Sequence, residues 1–514
     1  MRISNGAARV AGAVGCILGG LVAPTGARAQ EADLDVESFA QELRSVADVW
    51  RAGWEVPGMA VVVIHREDLL FLEGFGEVRL ASGVPVTPET IFELGSVSKT
   101  FTATALAMLV DDGVLRWRDP VRDHLPQFRL ADPWLEREMT ILDLLTHRSG
   151  IGGYDLVWLS EPNPYATLDR LRFVEPTGPF RDGFVYSNLM YGVAGELVAA
   201  ASGSSWRDFL TERLFLPLGM TSSRAGLARG PKDSGAASPH VFVNGALRAI
   251  ETPPIGVDAA GAVLSSARDL VSWMRYHLEA ESGAVSDLRD PVLPLGLKGW
   301  RPQYPNAKHL AYGTGWFVSD FDGRVVVDHL GGIGGMVASV TLVPDEGIGI
   351  AVLTNHGQNL LPLAISHWTL DRLLEGEGSL TWNSHFQDFW HTVHRTRQAA
   401  GLAIGGDRSE GDPGLPLPAY EGYYVDQVYG ATEVRLVENQ LRLTIGRLEG
   451  QLNHWAHDTF QIVWEDPFVR AVFGPSFASF EQDGRGTTSR IQYTSFPGQV
   501  VRAQREEPLR GSAH

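Results

Sequence analysis

The chain has 514 residues, a length that favours two domains over one hydrophobic core. Apolar residues make up 44 % and charged residues 20 %, which is the composition of a globular protein rather than a disordered one. The net charge of −18 argues against a nucleic-acid partner, because such a partner needs a basic face.

Residues 1–29 predict a signal peptide. A positive start with Arg2 and Arg9 precedes the apolar stretch VAGAVGCILGGLVAP, and ARA at residues 27–29 supplies the small-x-small pattern of a cleavage site. This stretch is too short to span a membrane stably, and no later one is long enough. Cleavage would also remove Cys16, the only cysteine, and with it any disulfide or thiolate metal site. We expect a soluble periplasmic or secreted protein.

The first half of the remaining chain contains two strands and then mostly helices. Residues 57–78 predict two β-strands joined by a charged turn at residues 66–68. A helix is predicted from near Ser96 to about Asp112, because apolar positions recur at helical spacing and Gly113 is a good stop. Helical patterns and loops fill residues 118–225. The capping-box spacing of Ser266 and Asp269 predicts the start of another helix.

Strand patterns return over residues 312–354, where Gly and Asp pairs separate apolar runs and predict antiparallel strands. Helices near residues 361–374 and 384–400 follow. Strands at both ends of a unit with helices between them predict an α+β domain over residues 30–400. Its antiparallel sheet is assembled from distant segments, flanked by helices, and carries a helical insertion on one side.

The C-terminal part of the chain has a different pattern. Residues 401–418 are rich in Gly and Pro and predict a linker. In residues 419–505 apolar and polar residues alternate with period two, and turns are predicted at residues 438–440 and at an Asp-Gly pair. Several short strands in about a hundred residues predict a small antiparallel β-barrel domain.

The stretch FELGSVSKTF places two serines close to one lysine. Lys99 lies three residues after Ser96, so a helix brings these two side chains to one face, whereas Ser98 points elsewhere. Free backbone N–H groups at a helix start favour a developing negative charge on a serine there, and a neutral lysine can take the proton of its hydroxyl. S-x-x-K alone is a weak signal, since a serine at a helix start is usually an N-cap.

Two further segments strengthen this interpretation. Tyr186 and Asn188 form a Y-x-N arrangement at the entry to a helical pattern, where a phenol can shuttle a proton and an amide can hold a substrate carbonyl. His329 and Gly331 form an H-x-G arrangement at the end of an apolar strand. There the N–H of a residue such as Gly332 could complete an oxyanion hole with that of the serine.

S-x-x-K, Y-x-N and H-x-G in this order resemble the serine β-lactamase and penicillin-binding-protein superfamily, and more closely its class C-like and S12 peptidase branch. LLTHRSGI, GAVLSSARDL, YGTGWFV and AVLTN agree, and the resemblance covers about residues 40–395. The resemblance implies that Ser96 is the nucleophile, Lys99 its base and Tyr186 a second proton carrier. It also implies that Asn188 contacts the substrate and that His329 and Gly331 form the third wall of the site. It implies no metal and no organic cofactor.

One departure from the family pattern concerns the third motif. β-Lactamases and cell-wall transpeptidases usually have K-T-G there, whereas this chain has His329, Leu330 and Gly331. The motif is therefore more similar to D-aminopeptidases, other S12 peptidases and family VIII-type esterases. Residues 419–505 resemble the lipocalin-like C-terminal domain of some S12-type peptidases. In those peptidases this domain shapes the access of the substrate.

Together these features predict a secreted serine hydrolase that acts through an acyl-Ser96 intermediate on small peptides or amides, including D-stereospecific or linearised ones. Carboxylic esters are the second substrate class. A β-lactamase, an acyltransferase and a penicillin-binding sensor without turnover remain alternatives. His385, His391 and His394 lack the pattern of a metal site, and a homo-oligomer is compatible with the sequence.

Overall fold

The structure is a computed structural model that describes residues 35–227, 235–409, 411–484, 486–495 and 499–506. The predicted signal peptide, with Cys16, lies outside the described residues. None of the helices in the described ranges combines the length and the hydropathy that a membrane-spanning helix requires.

The N-terminal four fifths of the chain mix strands and helices. The strands are β1 (Gly58–His65), β2 (Asp68–Gly76), β3 (Ile91–Glu93), β4 (Arg224–Ala225), β5 (His240–Val243), β6 (Ala246–Ala249), β7 (Val263–Ser266), β8 (Leu293–Pro294), β9 (Leu310–Tyr312), β10 (Phe317–Phe321), β11 (Arg324–Ile333), β12 (Met336–Val343) and β13 (Ile348–Thr354).

The helices of this part are α1 (Val36–Gly53), α2 (Ser98–Asp111), α3 (Val121–His124), α4 (Pro133–Glu138), α5 (Ile141–Leu145), α6 (Asp155–Ser160), α7 (Pro164–Asp169), α8 (Asn188–Ser202), α9 (Trp206–Leu210), α10 (Asp258–Gly261), α11 (Ala267–Glu279), α12 (Ala284–Asp287), α13 (Leu297–Trp300), α14 (Leu361–Leu374) and α15 (Thr381–Ile404).

An eight-stranded sheet forms the centre of this region, in the order β2-β1-β13-β12-β11-β10-β9-β8, and its neighbouring strands pair antiparallel. The sheet joins distant segments, because β1 near the N-terminus pairs with β13, as predicted. Successive residues of β1 point to opposite faces, and both faces are covered. Ala60, Val62 and Ile64 pack against one hydrophobic core, whereas Val61 and Val63 pack against another.

Helices cover the two faces of the sheet. On one face the apolar side chains of α1 and α14 pack against β1 and β13. On the other face the core contains residues of α2, α8 and α11, together with the helical segments between β3 and β7. The α+β prediction with a helical insertion is confirmed. Ser266 caps α11, because its side chain accepts a hydrogen bond from the Asp269 N–H, as the capping-box spacing predicts.

The C-terminal region is a closed barrel of eight antiparallel strands, each paired with its neighbour in sequence, and the last strand pairs with the first. Its elements are β14 (Gly422–Asp426), β15 (Gly430–Val437), β16 (Gln440–Ile445), β17 (Leu448–Ala456), β18 (Thr459–Trp464), α16 (Pro467–Phe473), β19 (Ser476–Gln482), β20 (Thr488–Ser495) and β21 (Gln499–Glu506). The predicted barrel is confirmed. Helix α15 ends at Ile404, inside the segment predicted as a linker.

The barrel contacts the segment that includes α6. In the turn between β16 and β17, the Nε of Arg447 donates to the carbonyl of Leu159 at 2.7 Å, and its backbone N–H donates to that of Ser160 at 3.2 Å. Gly446 in the same turn has φ +55, and a Cβ there would lie 2.4 Å from the Ser160 carbonyl oxygen. A glycine is therefore needed for this close approach.

The Gly446 contact gives a first prediction. We expect Gly446→Ala to lower the thermal unfolding temperature more than Gly486→Ala does. Both positions have a left-handed φ, which costs an alanine about 1–2 kcal/mol, but a Cβ at Gly486 meets no atom of the described residues within 4 Å. The difference isolates the collision with Ser160. Calorimetry measures the unfolding temperature of both variants. Equal decreases would contradict the prediction, because the Cβ at residue 446 would then not collide with the Ser160 carbonyl.

Candidate active site

Ser96 lies in a 3₁₀ turn, Gly95–Val97, that directly precedes α2. The sequence predicted the start of a helix here, and α-helical geometry begins two residues later, at Ser98. Ser96 is partly exposed, whereas Ser98 is fully buried and its Oγ accepts a hydrogen bond from the Val263 N–H at 2.8 Å. Of the two serines, only Ser96 is therefore available to a substrate.

Strand β11 lies directly against this turn through glycines. A Cβ at Gly331 would lie 2.0 Å from the carbonyl oxygen of Leu94 and 3.0 Å from the backbone nitrogen of Ser96. A Cβ at Gly95, which has φ +53, would lie 2.8 Å from the backbone of Gly332. Gly332 itself is exposed. The H-x-G glycine is thus explained by the close approach of strand and turn, and an exposed backbone lies beside Ser96.

Lys99 and Tyr186 both contact the hydroxyl of Ser96. Lys99 Nζ lies 3.1 Å from Ser96 Oγ, and the Tyr186 hydroxyl donates to the same oxygen at 2.8 Å. Lys99 Nζ also lies 4.8 Å from the centre of the Tyr186 ring. The structure therefore brings together the three residues predicted as catalytic.

Two acceptors hold the remaining side of the Lys99 amine. Its Nζ donates to Asn188 Oδ1 and to the carbonyl oxygen of Ala260, both at 2.8 Å. A neutral amine has two N–H donors and one lone pair. When it donates to these two oxygens, its lone pair is left for the proton of the Ser96 hydroxyl. The surroundings of Lys99 are thus those of a base.

Burial favours the neutral form of this amine. Lys99 has no exposed surface, and burial lowers its pKa from 10.5 to about 7, although the nearby Asp155 carboxylate acts to raise it. The change corresponds to about 5 kcal/mol of lost preference for the charged form. Burial raises the pKa of Tyr186 above its usual range, so the phenol keeps its proton at neutral pH.

The segment around Tyr186 is held by His147. The carbonyl of His147 accepts from the Val185 N–H at 2.8 Å, and its Nδ1 accepts from the Ser187 N–H at 3.1 Å. Its ring centre lies 4.2 Å from that of Tyr186. Ser187 is the N-cap of α8, with its side chain accepting from the Met190 N–H. His147 therefore fixes the backbone on both sides of the phenol.

The other two predicted side chains have most of their hydrogen bonds inside the protein. Asn188 donates from Nδ2 to Asp155 at 3.0 Å and accepts from Lys99, so a substrate contact would use its second N–H. His329 is 1 % exposed, with Nδ1 bonded to the Leu330 carbonyl and Nε2 to the Tyr312 hydroxyl. Burial lowers its pKa to about 3. Substrate contacts of both residues stay predictions.

Sequence reasoning missed Asp155 and the Ala260 carbonyl. Neither belongs to a motif that was singled out, and a backbone carbonyl carries no sequence signal.

In the described ranges, no group of three or more His, Cys, Asp or Glu side chains is placed to hold a metal ion. The arrangement can transfer a proton from Ser96 to Lys99 and can return one through Tyr186, which is the chemistry of nucleophilic acyl transfer.

Comparison with known proteins matches two regions of the chain to families. Residues 46–372 match the Beta-lactamase family, and residues 407–505 match a domain of unknown function, DUF3471. Penicillin-binding protein 4 of Amycolatopsis lactamdurans is 32 % identical over 325 residues, which cover 60 % of this chain and 84 % of that protein. An unguisins hydrolase of Aspergillus campestris is 26 % identical over 422 residues, 76 % of each chain.

The fold is also found among solved structures. The octameric penicillin-binding protein homologue from Pyrococcus abyssi has a TM-score of 0.59 and 23 % identity, covering 90 % of this chain and 99 % of that one. The family match spans more than half of the sequence and includes all three motifs. The chain therefore belongs to the Beta-lactamase family and is a serine hydrolase of that fold.

Proposed function

We propose that this protein hydrolyses small peptides or amides through an acyl-enzyme on Ser96. The observation that carries the proposal is the shared contact at Ser96 Oγ, with Lys99 Nζ at 3.1 Å and the Tyr186 hydroxyl at 2.8 Å. A buried amine with a pKa of about 7 is neutral often enough at neutral pH to act as a base. The hydrolase name of a relative is a further support.

In this proposal acylation begins when Ser96 Oγ attacks the substrate carbonyl. Its proton passes to the lone pair of Lys99, and the negative oxygen of the tetrahedral intermediate lies near the backbone N–H groups of Ser96 and Gly332. The leaving amine takes a proton from the Tyr186 hydroxyl, and the Lys99 ammonium then returns its proton to the tyrosinate, so that both groups are neutral in the acyl-enzyme. A water then attacks the acyl group and gives one proton to Lys99, which passes that proton to the departing Ser96 Oγ as the acid is released.

Two features favour an amide substrate over an ester. An amine leaving group must be protonated before it departs, and here two proton-carrying groups meet at the nucleophile. The pairing of β10 with β11 ends at Asp328, so among the described residues no strand covers the edge of β11 from Leu330 to Ile333. An extended peptide can add its backbone to such an edge.

A substrate panel tests the proposal. We expect D- or L-aminoacyl amides or short peptides to be cleaved in preference to p-nitrophenyl esters and nitrocefin. Ser96→Ala should lose activity by about a thousandfold or more, since the nucleophile is removed. Ser98→Ala is the matched control: it leaves the buried Val263 N–H without its acceptor, which costs about 1–3 kcal/mol of stability, but it retains turnover.

Four outcomes would contradict the proposal. Rapid nitrocefin turnover would show a β-lactamase. Product formation that requires an added alcohol or amine acceptor would show an acyltransferase. Stoichiometric labelling by a serine-reactive probe without steady turnover would show a sensor. A loss of activity in Ser98→Ala but not in Ser96→Ala would overturn the choice of nucleophile.

The pKa of Lys99 predicts the pH dependence. Because the base must be neutral, kcat/KM should rise with pH through a midpoint near 7 and fall about tenfold per pH unit below it. The measurement is kcat/KM from pH 5 to 9 with the best amide of the panel. Lys99→Arg is always charged and should be inactive at every pH. A midpoint above pH 9 would mean that Lys99 is not the base.

A further inference from the structure

Asp155 connects the start of α6 to the catalytic lysine. Its Oδ1 accepts from the Asn188 Nδ2 at 3.0 Å and from the Trp158 indole N–H at 2.7 Å. Asn188 in turn accepts from Lys99 through Oδ1. The carboxylate is therefore one amide group away from the amine that faces Ser96.

The chemistry of these groups fixes the orientation of the amide. An ionised carboxylate can only accept hydrogen bonds, so the amide of Asn188 must turn its NH₂ group toward Asp155. Its oxygen then points to Lys99 and accepts one of the amine N–H groups. If the amide were reversed, its NH₂ would face the amine, and two donors would meet. The lone pair of Lys99 would then be drawn away from Ser96.

Asp155 also acts on Lys99 through its charge. Burial alone lowers the pKa of Lys99, and the carboxylate of Asp155 works in the opposite direction. The other titratable groups around the amine are uncharged at neutral pH. Burial raises the pKa values of Tyr186 and Tyr191, whose rings face Nζ, and lowers those of His147 and His329.

The segment that carries Asp155 is fixed from two sides. Tyr154, the preceding residue, donates from its hydroxyl to the Glu175 carbonyl at 2.8 Å, and its ring stacks against Tyr429 of the barrel at 6.2 Å. At the other end of α6, Arg447 of the barrel donates to the Leu159 carbonyl. The carboxylate is thus held in place by contacts that do not depend on the substrate.

We propose that Asp155 is a positioning residue of this active site, whose carboxylate holds the Asn188 amide in the orientation that presents Oδ1 to Lys99. The inference rests on the proposed function, in which Lys99 is the base for Ser96. Asp155 itself does not touch the nucleophile. Its effect passes through Asn188 to the amine.

The test is Asp155→Asn, a change of nearly the same size that removes the charge and the acceptor-only character. The chain contains only four lysines, so the Lys99 side chain can be followed by NMR after ¹³C-lysine labelling and assigned with Lys99→Arg. We expect the Lys99 titration midpoint to lie near pH 7 in the wild type and at a lower pH in Asp155→Asn.

A second readout follows acylation itself. We measure the pH-dependent release of p-nitrophenol from p-nitrophenyl acetate, with the Ser96→Ala rate subtracted. Above the midpoint this rate should fall about tenfold or more in Asp155→Asn, because a neutral amide replaces the carboxylate and no longer fixes the orientation of Asn188. Trp158→Phe is the matched control. It removes the other hydrogen bond to the same carboxylate but keeps the charge and the Asn188 contact, so the midpoint should not move.

The outcomes separate this inference from the proposed function. A purely structural role of Asp155 would lower the unfolding temperature and leave the Lys99 midpoint unchanged, which would overturn the inference. An equal shift in Trp158→Phe would do the same. A wild-type Lys99 midpoint near 10.5 would instead contradict the proposed function, because the amine would then be charged at working pH.

Discussion

The burial of the Lys99 amine is the constraint on which the rest of the site depends. A lysine without exposed surface favours the neutral form, and it is tolerated only because two oxygens, from Asn188 and Ala260, accept its N–H groups. What remains of its bonding capacity is a lone pair directed at Ser96. In the proposed mechanism, the same packing that makes a charged lysine unfavourable makes Lys99 the base for the neighbouring hydroxyl.

The fold brings the side chains around Ser96 together from distant parts of the chain. The serine and lysine come from the turn and helix after β3, the tyrosine and asparagine from the start of α8, and the carbonyl from α10. Strand β11 lies against the serine turn because Gly331 has no side chain. The barrel contacts the α6 segment that carries Asp155, so the C-terminal domain is linked to the same network.

Much of this site could be predicted from the sequence, because residue spacing and alternation reflect helix and strand geometry. Spacing of three residues selected Ser96 over Ser98, and the structure buries Ser98 against the Val263 N–H. Period-two alternation predicted the barrel, because strands with one buried face must alternate. The contact of the barrel with α6 could not be predicted, since it depends on backbone carbonyls and on one turn glycine. Asp155 was missed because its role exists only through the folded position of Asn188.

The central claim is that Ser96 carries the acyl group, and trapping that group tests it most directly. A cleaved amide substrate is mixed with the enzyme, quenched in acid within milliseconds to seconds, and the protein is analysed by intact and peptide mass spectrometry. The account predicts an added acyl mass on the peptide containing residues 95–99, localised to Ser96 and absent from Lys99→Ala. An adduct on Ser98 or on another residue, or steady turnover with no adduct at any time, would contradict it.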